Sequence, residues 1–313
     1  MSAKVVLIGA GLMAREYAKV LEALSISYEV IGRGGENCKL FSESYPKAII
    51  HNGGIENNLT VLSKFTHAIV ATNVINLAAN TSALIKAGVK NCLVEKPGFL
   101  NPKEAYALNE IMSDSSIYVA YNRRFLASVI KAQQVIKNDG GVLSFNFEFT
   151  EWSHVIDKLE CPIEEKNFLF LANSTHVVDL AFYLGGFPAE LKSYRSGQID
   201  WHKTGAIYSG AGKTDTNALF SYNANWISAG RWVVEILTAN NRLLFKPLEK
   251  LQIQQKGSVA VNFVEDVDYT LDETYKPGLY LQTKKFLEGE IDGLCSFREQ
   301  MSMLEVYKNI SGY

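Results

Sequence analysis

The chain has 313 residues, 47% hydrophobic and 20% charged, so it can bury one large core or two and lacks the composition of a disordered chain. Its formal net charge of −2 offers no electrostatic basis for binding nucleic acid or an anionic membrane. The four cysteines, Cys38, Cys92, Cys161 and Cys295, show no CxxC spacing and no Cys/His cluster, which reads as reduced thiols in a cytoplasmic protein with neither a disulfide framework nor a metal site.

The opening stretch MSAKVVLIGAGLMA is too short to span a bilayer and carries glycines where a strand would turn, so it reads as the first strand of the fold and not as a signal peptide. Strand Lys4 to Ile8 runs into helix REYAKVLEAL. Strands YEVIGRG, KAII and HAIVAT follow, then a helix, INLAANTSALIKAG, with Gly88 as its C-terminal stop. NCLVEKP, the helix PKEAYALNEIMSDS and the strand IYVAYN complete the series. Such alternation predicts a doubly wound α/β domain with a parallel sheet over residues 1–121. After the helix SVIKAQQVIKN, strands follow one another: LSFNFEF, GAIYSGA, NALFSYN, GRWVVEILTANNRLLF and KLQIQQ. ANNR is expected to be a hairpin turn because Asn tolerates positive φ. Two helical segments, LYLQTKKFLEG and REQMSMLEVYKNI, close the chain. Residues 122–313 are therefore expected to form an α+β domain with a mainly antiparallel sheet.

Gly9-Ala10-Gly11-Leu12-Met13-Ala14 fits G-x-G-x-x-G/A between a strand and a helix, the context that makes this pattern a dinucleotide-binding signal. Gly9 permits the turn, Gly11 lets the backbone approach a pyrophosphate, and Ala14 allows close packing. N–H groups at the helix start, from Leu12 and Met13 onward, receive the anion. An NAD-preferring site would carry an acid about 20 residues on, at the end of the second strand. Here Gly32 stands at that place and Arg33 follows, while Glu29 lies earlier, in mid-strand. A guanidinium suits a 2′-phosphate, so NADP(H) is expected in preference to NAD(H). Thr72 and Asn73, after the fourth strand, and Glu95 and Lys96, after the fifth, stand at carboxyl ends of strands and complete the expected cofactor contacts.

Four signatures occur in order: GxGxxA, Glu95-Lys96-Pro97, YNRRF after the sixth strand, and Thr175-His176-Val177-Val178-Asp179-Leu180. Together they resemble the glucose–fructose oxidoreductase / inositol dehydrogenase / rhizopine catabolism (Gfo/Idh/MocA) family over essentially the whole chain. The resemblance implies a Rossmann domain, hydride transfer between a nicotinamide and a sugar-like carbon, and Lys96 at the reacting oxygen. It implies that the helix with His176 faces the nicotinamide. His176 would then be the acid–base group. Asp179 would orient the imidazole or bind a neighbouring hydroxyl. Tyr121, Asn122, Asn173 and Asp179 are the expected substrate contacts, and one of Arg123 and Arg124 is expected to be structural. Relatives often assemble through an open sheet face, so a homodimer or homotetramer is expected.

The chain departs from the Asp-x-Gly-x-His frame of many sugar dehydrogenases of the family. The frame here is Ala172-Asn173-Ser174-Thr175-His176, without the first acid. The segment Glu151 to Leu171, with Trp152, Phe168 and Phe170, offers aromatic surface that stacks on bases or pyranose rings, or else serves as core. The expected function is an NADP(H)-dependent oxidoreductase of a sugar or nucleotide sugar, interconverting keto and hydroxy groups at a ring carbon. The alternatives are a non-catalytic dinucleotide-binding regulator and a reductase of a non-sugar carbonyl or bile-pigment-like substrate.

Overall fold

The structure, a computed structural model, describes residues 3–160 and 162–313; the expectation for Cys161 lies outside them. It divides into two compact units, one comprising the chain up to Asn122 with Thr274–Ser302, the other Arg123–Glu273 with Met303–Tyr313.

In the first unit, β1 (Val5–Ile8) is a wholly buried apolar run, as a strand covered on both faces requires. Helix α1 (Leu12–Ala23) buries Ala14, Tyr17, Ala18 and Leu21, a spacing that lines one helical face. β2 (Tyr28–Ile31), α2 (Gly35–Ser44), β3 (Ile49–His51), α3 (Leu59–Leu62) and β4 (His67–Val70) follow. α4 (Leu77–Lys86) ends at Ala87, with Gly88 beyond it at φ +89°. After β5 (Asn91–Val94), α5 (Pro102–Ile111) is capped by Asn101, whose side chain accepts from the Glu104 N–H at 3.0 Å. Glu104 in turn accepts from the Leu100 N–H at 2.8 Å. β6 (Ser116–Val119) joins a parallel sheet that contains β6, β5, β4, β1, β2 and β3 in that order, the doubly wound arrangement expected.

The second unit opens with α6 (Ala127–Asn138) and β7 (Ser144–Glu148), followed by α7 (Ser153–Ile156), α8 (Ile163–Asn167) and α9 (Thr175–Gly185). Then come β8 (Pro188–Ser196), β9 (Ile207–Thr214), β10 (Leu219–Asn225), β11 (Val233–Leu237), β12 (Asn241–Phe245), β13 (Leu251–Gln255) and β14 (Asn262–Phe263). They form one sheet, ordered β14-β13-β12-β11-β7-β10-β9-β8, antiparallel except where β7 meets β10. Alternation along β7 buries Phe145 and Phe147, and Phe182 of α9 packs edge-on against them at 5.8 and 5.6 Å. Each fully buried Phe contributes about 1.5–3 kcal/mol of transfer free energy, so this contact holds α9 firmly on the sheet.

Two expectations are corrected. Residues 122–313 do not stay together. After α10 (Thr270–Thr274), the chain enters the first unit with α11 (Leu279–Glu288) and β15 (Cys295–Ser296), before α12 (Phe297–Ser311) closes the chain. β15 pairs antiparallel with the β6 edge, and Phe286 packs on His67 and Tyr118 at 5.4 and 6.2 Å. A two-residue strand has no periodicity to read, so the edge pairing was invisible beforehand. The β11–β12 hairpin forms, but none of residues 238–241 has positive φ. Instead Asp139 accepts from Thr238 Oγ1, from Asn240 Nδ2 at 3.1 Å and from Asn241 Nδ2 at 2.8 Å.

Candidate functional site

Gly9 closes β1 at φ +113°, and a Cβ there would lie 2.4 Å from the Ala71 carbonyl oxygen, so the turn admits only glycine. Gly11 precedes α1 with no side-chain cap, and no atom lies within 4 Å of where its Cβ would be. The first N–H groups of α1, from Leu12 onward, therefore face an open approach. The Leu12 side chain is exposed and that of Met13 is half-buried, so these two serve through backbone. Beyond the strand ends lies a cavity of about 280 Å³ lined by Gly9, Gly11, Arg33, Thr72 and Asn73 among others. These residues suit a dinucleotide: a glycine turn, an open helix start and a cation at the end of the second strand.

Gly32 does not line this cavity. A Cβ there would meet Cys38 Sγ at 2.4 Å, so its small size lets α2 approach the sheet. Asn37, Glu56 and Asn80 do line it and were missed, since they come from three elements that no single motif joins. Asn80 Nδ2 donates to Thr72 Oγ1 at 3.1 Å, fixing that side chain at the rim. Glu29 is committed elsewhere, accepting from Lys64 at 2.7 Å and contacting His51 at 2.6 Å. Burial raises its carboxyl, but these two partners outweigh that effect and hold it below the usual range.

Lys96 is half-exposed, whereas every other residue from Cys92 to Leu100 is buried. Its neighbours are anchored. Tyr17 donates to Glu95 Oε1 at 2.8 Å, and Gln300 Nε2 donates to the Pro97 carbonyl at 2.9 Å. Burial, and then the Glu95 charge, push the Tyr17 hydroxyl well above its ordinary value, so it stays a donor. Glu95, expected at the cofactor, is thus a buried anchor between β5 and α1. Tyr121 and Asn122, expected at the substrate, are buried too. Asn122 Nδ2 donates to the Pro277 carbonyl at 2.7 Å, and the Gln282 amide oxygen, turned toward the segment, accepts from both backbone N–H groups at 3.1 and 3.2 Å.

In the second unit a π-turn, Phe170–Ser174, leads into α9, and His176 lies buried in the first turn of that helix. Such turns recur at functional sites. The His176 ring lies 6.1 Å from that of Trp232. Asp179 has a buried partner that the sequence did not indicate: both its oxygens receive Arg124, Nε at 2.8 Å and Nη2 at 2.5 Å, with both residues buried. A buried charge demands such a partner, and the Arg124 guanidinium is further covered by the Tyr183 ring at 4.6 Å. Phe170 is core, packed by Phe149, Tyr307 and Tyr313.

Asn173 makes a different contact from the hydroxyl binding expected of it. Its Nδ2 donates to both oxygens of Glu151 at 3.1 Å, where Ser174 Oγ also donates at 2.7 Å and Arg231 Nη1 at 3.2 Å. Burial raises the Glu151 carboxyl to about 7, opposed by Ser174, Arg231 and Asn173. Glu151 opened the segment expected to offer substrate surface, whereas Arg231 and Trp232 were not singled out in the sequence. The β7–β11 register sets Glu148 opposite Val233, so residues 151–152 and 231–232 leave the sheet at the same end. The available signal was a charged residue followed by Trp, just outside a strand, in both places.

Cys38, Cys92 and Cys295 are buried cysteines outside any disulfide, and burial pushes the thiol of Cys92 up to about 12. Among the described residues no helix is long and apolar enough to cross a membrane, and no group of three or more His, Cys, Asp or Glu side chains could hold a metal ion.

The sheet order and glycine turn define a two-unit fold with a Rossmann-type parallel sheet in its first unit. The chain is similar in structure to UDP-N-acetylglucosamine 3-dehydrogenase GnnA from Acidithiobacillus ferrooxidans, with TM-score 0.77 and 14% identity over 99% of this chain and 97% of that one. Levoglucosan dehydrogenase, in complex with NADH and L-sorbose, matches with TM-score 0.76 and 17% identity over 99% and 96%. The WlbA dehydrogenase from Chromobacterium violaceum, in complex with NADH and UDP-GlcNAcA, matches with TM-score 0.73 and 17% identity over 97% and 91%. No family model and no curated protein sequence matches the chain. At these identities the likeness establishes the fold.

Proposed function

We propose that this chain is a nicotinamide-dependent oxidoreductase of the Gfo/Idh/MocA family, interconverting hydroxyl and keto groups at a ring carbon of a sugar or nucleotide sugar. The carrying observation is the glycine turn at Gly9 and Gly11 opening on a cavity beyond the strand ends. The similar structures, solved with NADH and with sugar or nucleotide-sugar ligands, support this reading. Bound nicotinamide supplies the hydride acceptor or donor. Lys96, half-exposed between buried neighbours, donates to the reacting oxygen, and His176 takes or returns its proton. Oxidation removes a hydride from the C–H and a proton from the O–H, leaving a carbonyl.

Arg33 on the cavity wall supports NADP(H) over NAD(H), while Glu56 on the same wall opposes a 2′-phosphate. Assembly as a homodimer or homotetramer, in the cytoplasm, belongs to the same reading. The test is a titration with NADPH and NADH by nicotinamide fluorescence, followed by turnover on free sugars, polyols and nucleotide-linked sugars. Absence of binding by either nucleotide would overturn the proposal. Turnover with free inositol or glucose, and none with any nucleotide sugar, would narrow the substrate to the free class.

A further inference from the structure

Arg231 is clamped. Its guanidinium carbon lies 4.7 Å from the centre of the Trp152 ring and 4.5 Å from that of Trp232. Trp152 is fixed in turn, donating its Nε1–H to the Gly230 carbonyl at 3.0 Å. Nη1 of Arg231 reaches the fully buried Glu151 carboxylate at 3.2 Å, yet 44% of the arginine side chain remains exposed. Glu151 already receives Asn173 and Ser174, so its need for donors is largely met without the arginine. A counter-ion for a buried acid needs neither an exposed face nor two aromatic plates. A guanidinium presents five N–H groups in one plane, and fixing that plane beforehand reduces the entropy lost when a pair of anionic oxygens binds. The clamp stands beside the candidate acid–base group, because its Trp232 ring lies 6.1 Å from the His176 ring.

We propose that Arg231, held between Trp152 and Trp232, is a specificity-determining residue that binds an anionic oxygen group, carboxylate or phosphate, carried by the substrate. The inference rests on the proposed function, in that the anion is a substituent of the molecule presented to His176.

The test is an equilibrium titration without nicotinamide, read by tryptophan fluorescence, using glucuronate, UDP-glucose and neutral glucose as probes. Wild type is compared with Arg231→Gln and Arg231→Lys. Glucuronate and UDP-glucose distinguish a carboxylate from a phosphate source. At least one of them is expected to bind wild type and to weaken about 10- to 100-fold in Arg231→Gln, the scale of a lost charged hydrogen bond, with glucose unchanged. If Arg231→Gln does not fold by circular dichroism, Arg231→Lys serves instead, with weakened anion binding expected from loss of the planar fork. Equal anion binding by wild type and the folded variant, equal loss for glucose, or no anion binding by wild type would overturn the proposal. Hydride transfer is measured separately on the same sugars, so a failure of the enzymatic reading appears there and not in the titration.

Discussion

Ser174 donates its hydroxyl to Glu151 at 2.7 Å across 23 residues of chain, tying the turn before α9 to the segment that leaves β7. The acid so held titrates at about 7 in the folded protein, against 4.5 when unperturbed, with burial the leading cause. Between those values the folded chain retains a proton that the unfolded chain has released. Stability contributed by this group is therefore complete below about pH 4.5, declines as pH rises toward 7 and is level above. The decline amounts to roughly 3 kcal/mol. Urea unfolding at pH 5 and pH 8 should show it in wild type and lose most of it in Glu151→Gln. An unchanged difference between the two pH values in the variant would show that Glu151 is not the titrating group.

Asp179 and Arg124 form a buried, two-pronged ion pair. Asp179→Ala removes the carboxylate that faces the buried guanidinium and should cost about 3–5 kcal/mol in denaturant unfolding, whereas Arg124→Met with Asp179→Leu should cost clearly less. Equal losses in the single and double variants would argue against an uncompensated buried charge as the cause.

Arg33→Ala should weaken NADPH binding by roughly 1–3 kcal/mol and leave NADH nearly unaffected, because only the former carries a 2′-phosphate for the guanidinium. Fluorescence titration of both nucleotides reads this directly. Equal affinities for NADPH and NADH in the unmutated protein would refute the preference.

Lys96→Ala and His176→Asn should each lower turnover about 10²- to 10⁴-fold, the usual scale for acid–base groups. Dinucleotide binding should survive His176→Asn, since the phosphate-loop residues are untouched. Normal turnover by His176→Asn across pH on the true substrate would remove the residue from the chemistry.

Much of the fold was legible in the sequence. Buried parallel strands such as Val5–Ile8 announce themselves by apolar runs, and α1 by its spacing, because both patterns follow from local backbone geometry. The glycine turn was legible for the same reason: Gly9 must hold a φ that other residues resist, and its cavity arises where the strand ends. Tertiary structure alone decided the partners of charged side chains. That Asp179 belongs to Arg124, and that Glu151 meets Ser174 and Arg231, depends on sheet register and on buried charges seeking counter-charges distant in sequence. No local period encodes those choices. The same holds for Cys295–Ser296 on the edge of β6, where backbone pairing with an existing strand, and not any preference of the two residues, sets the contact.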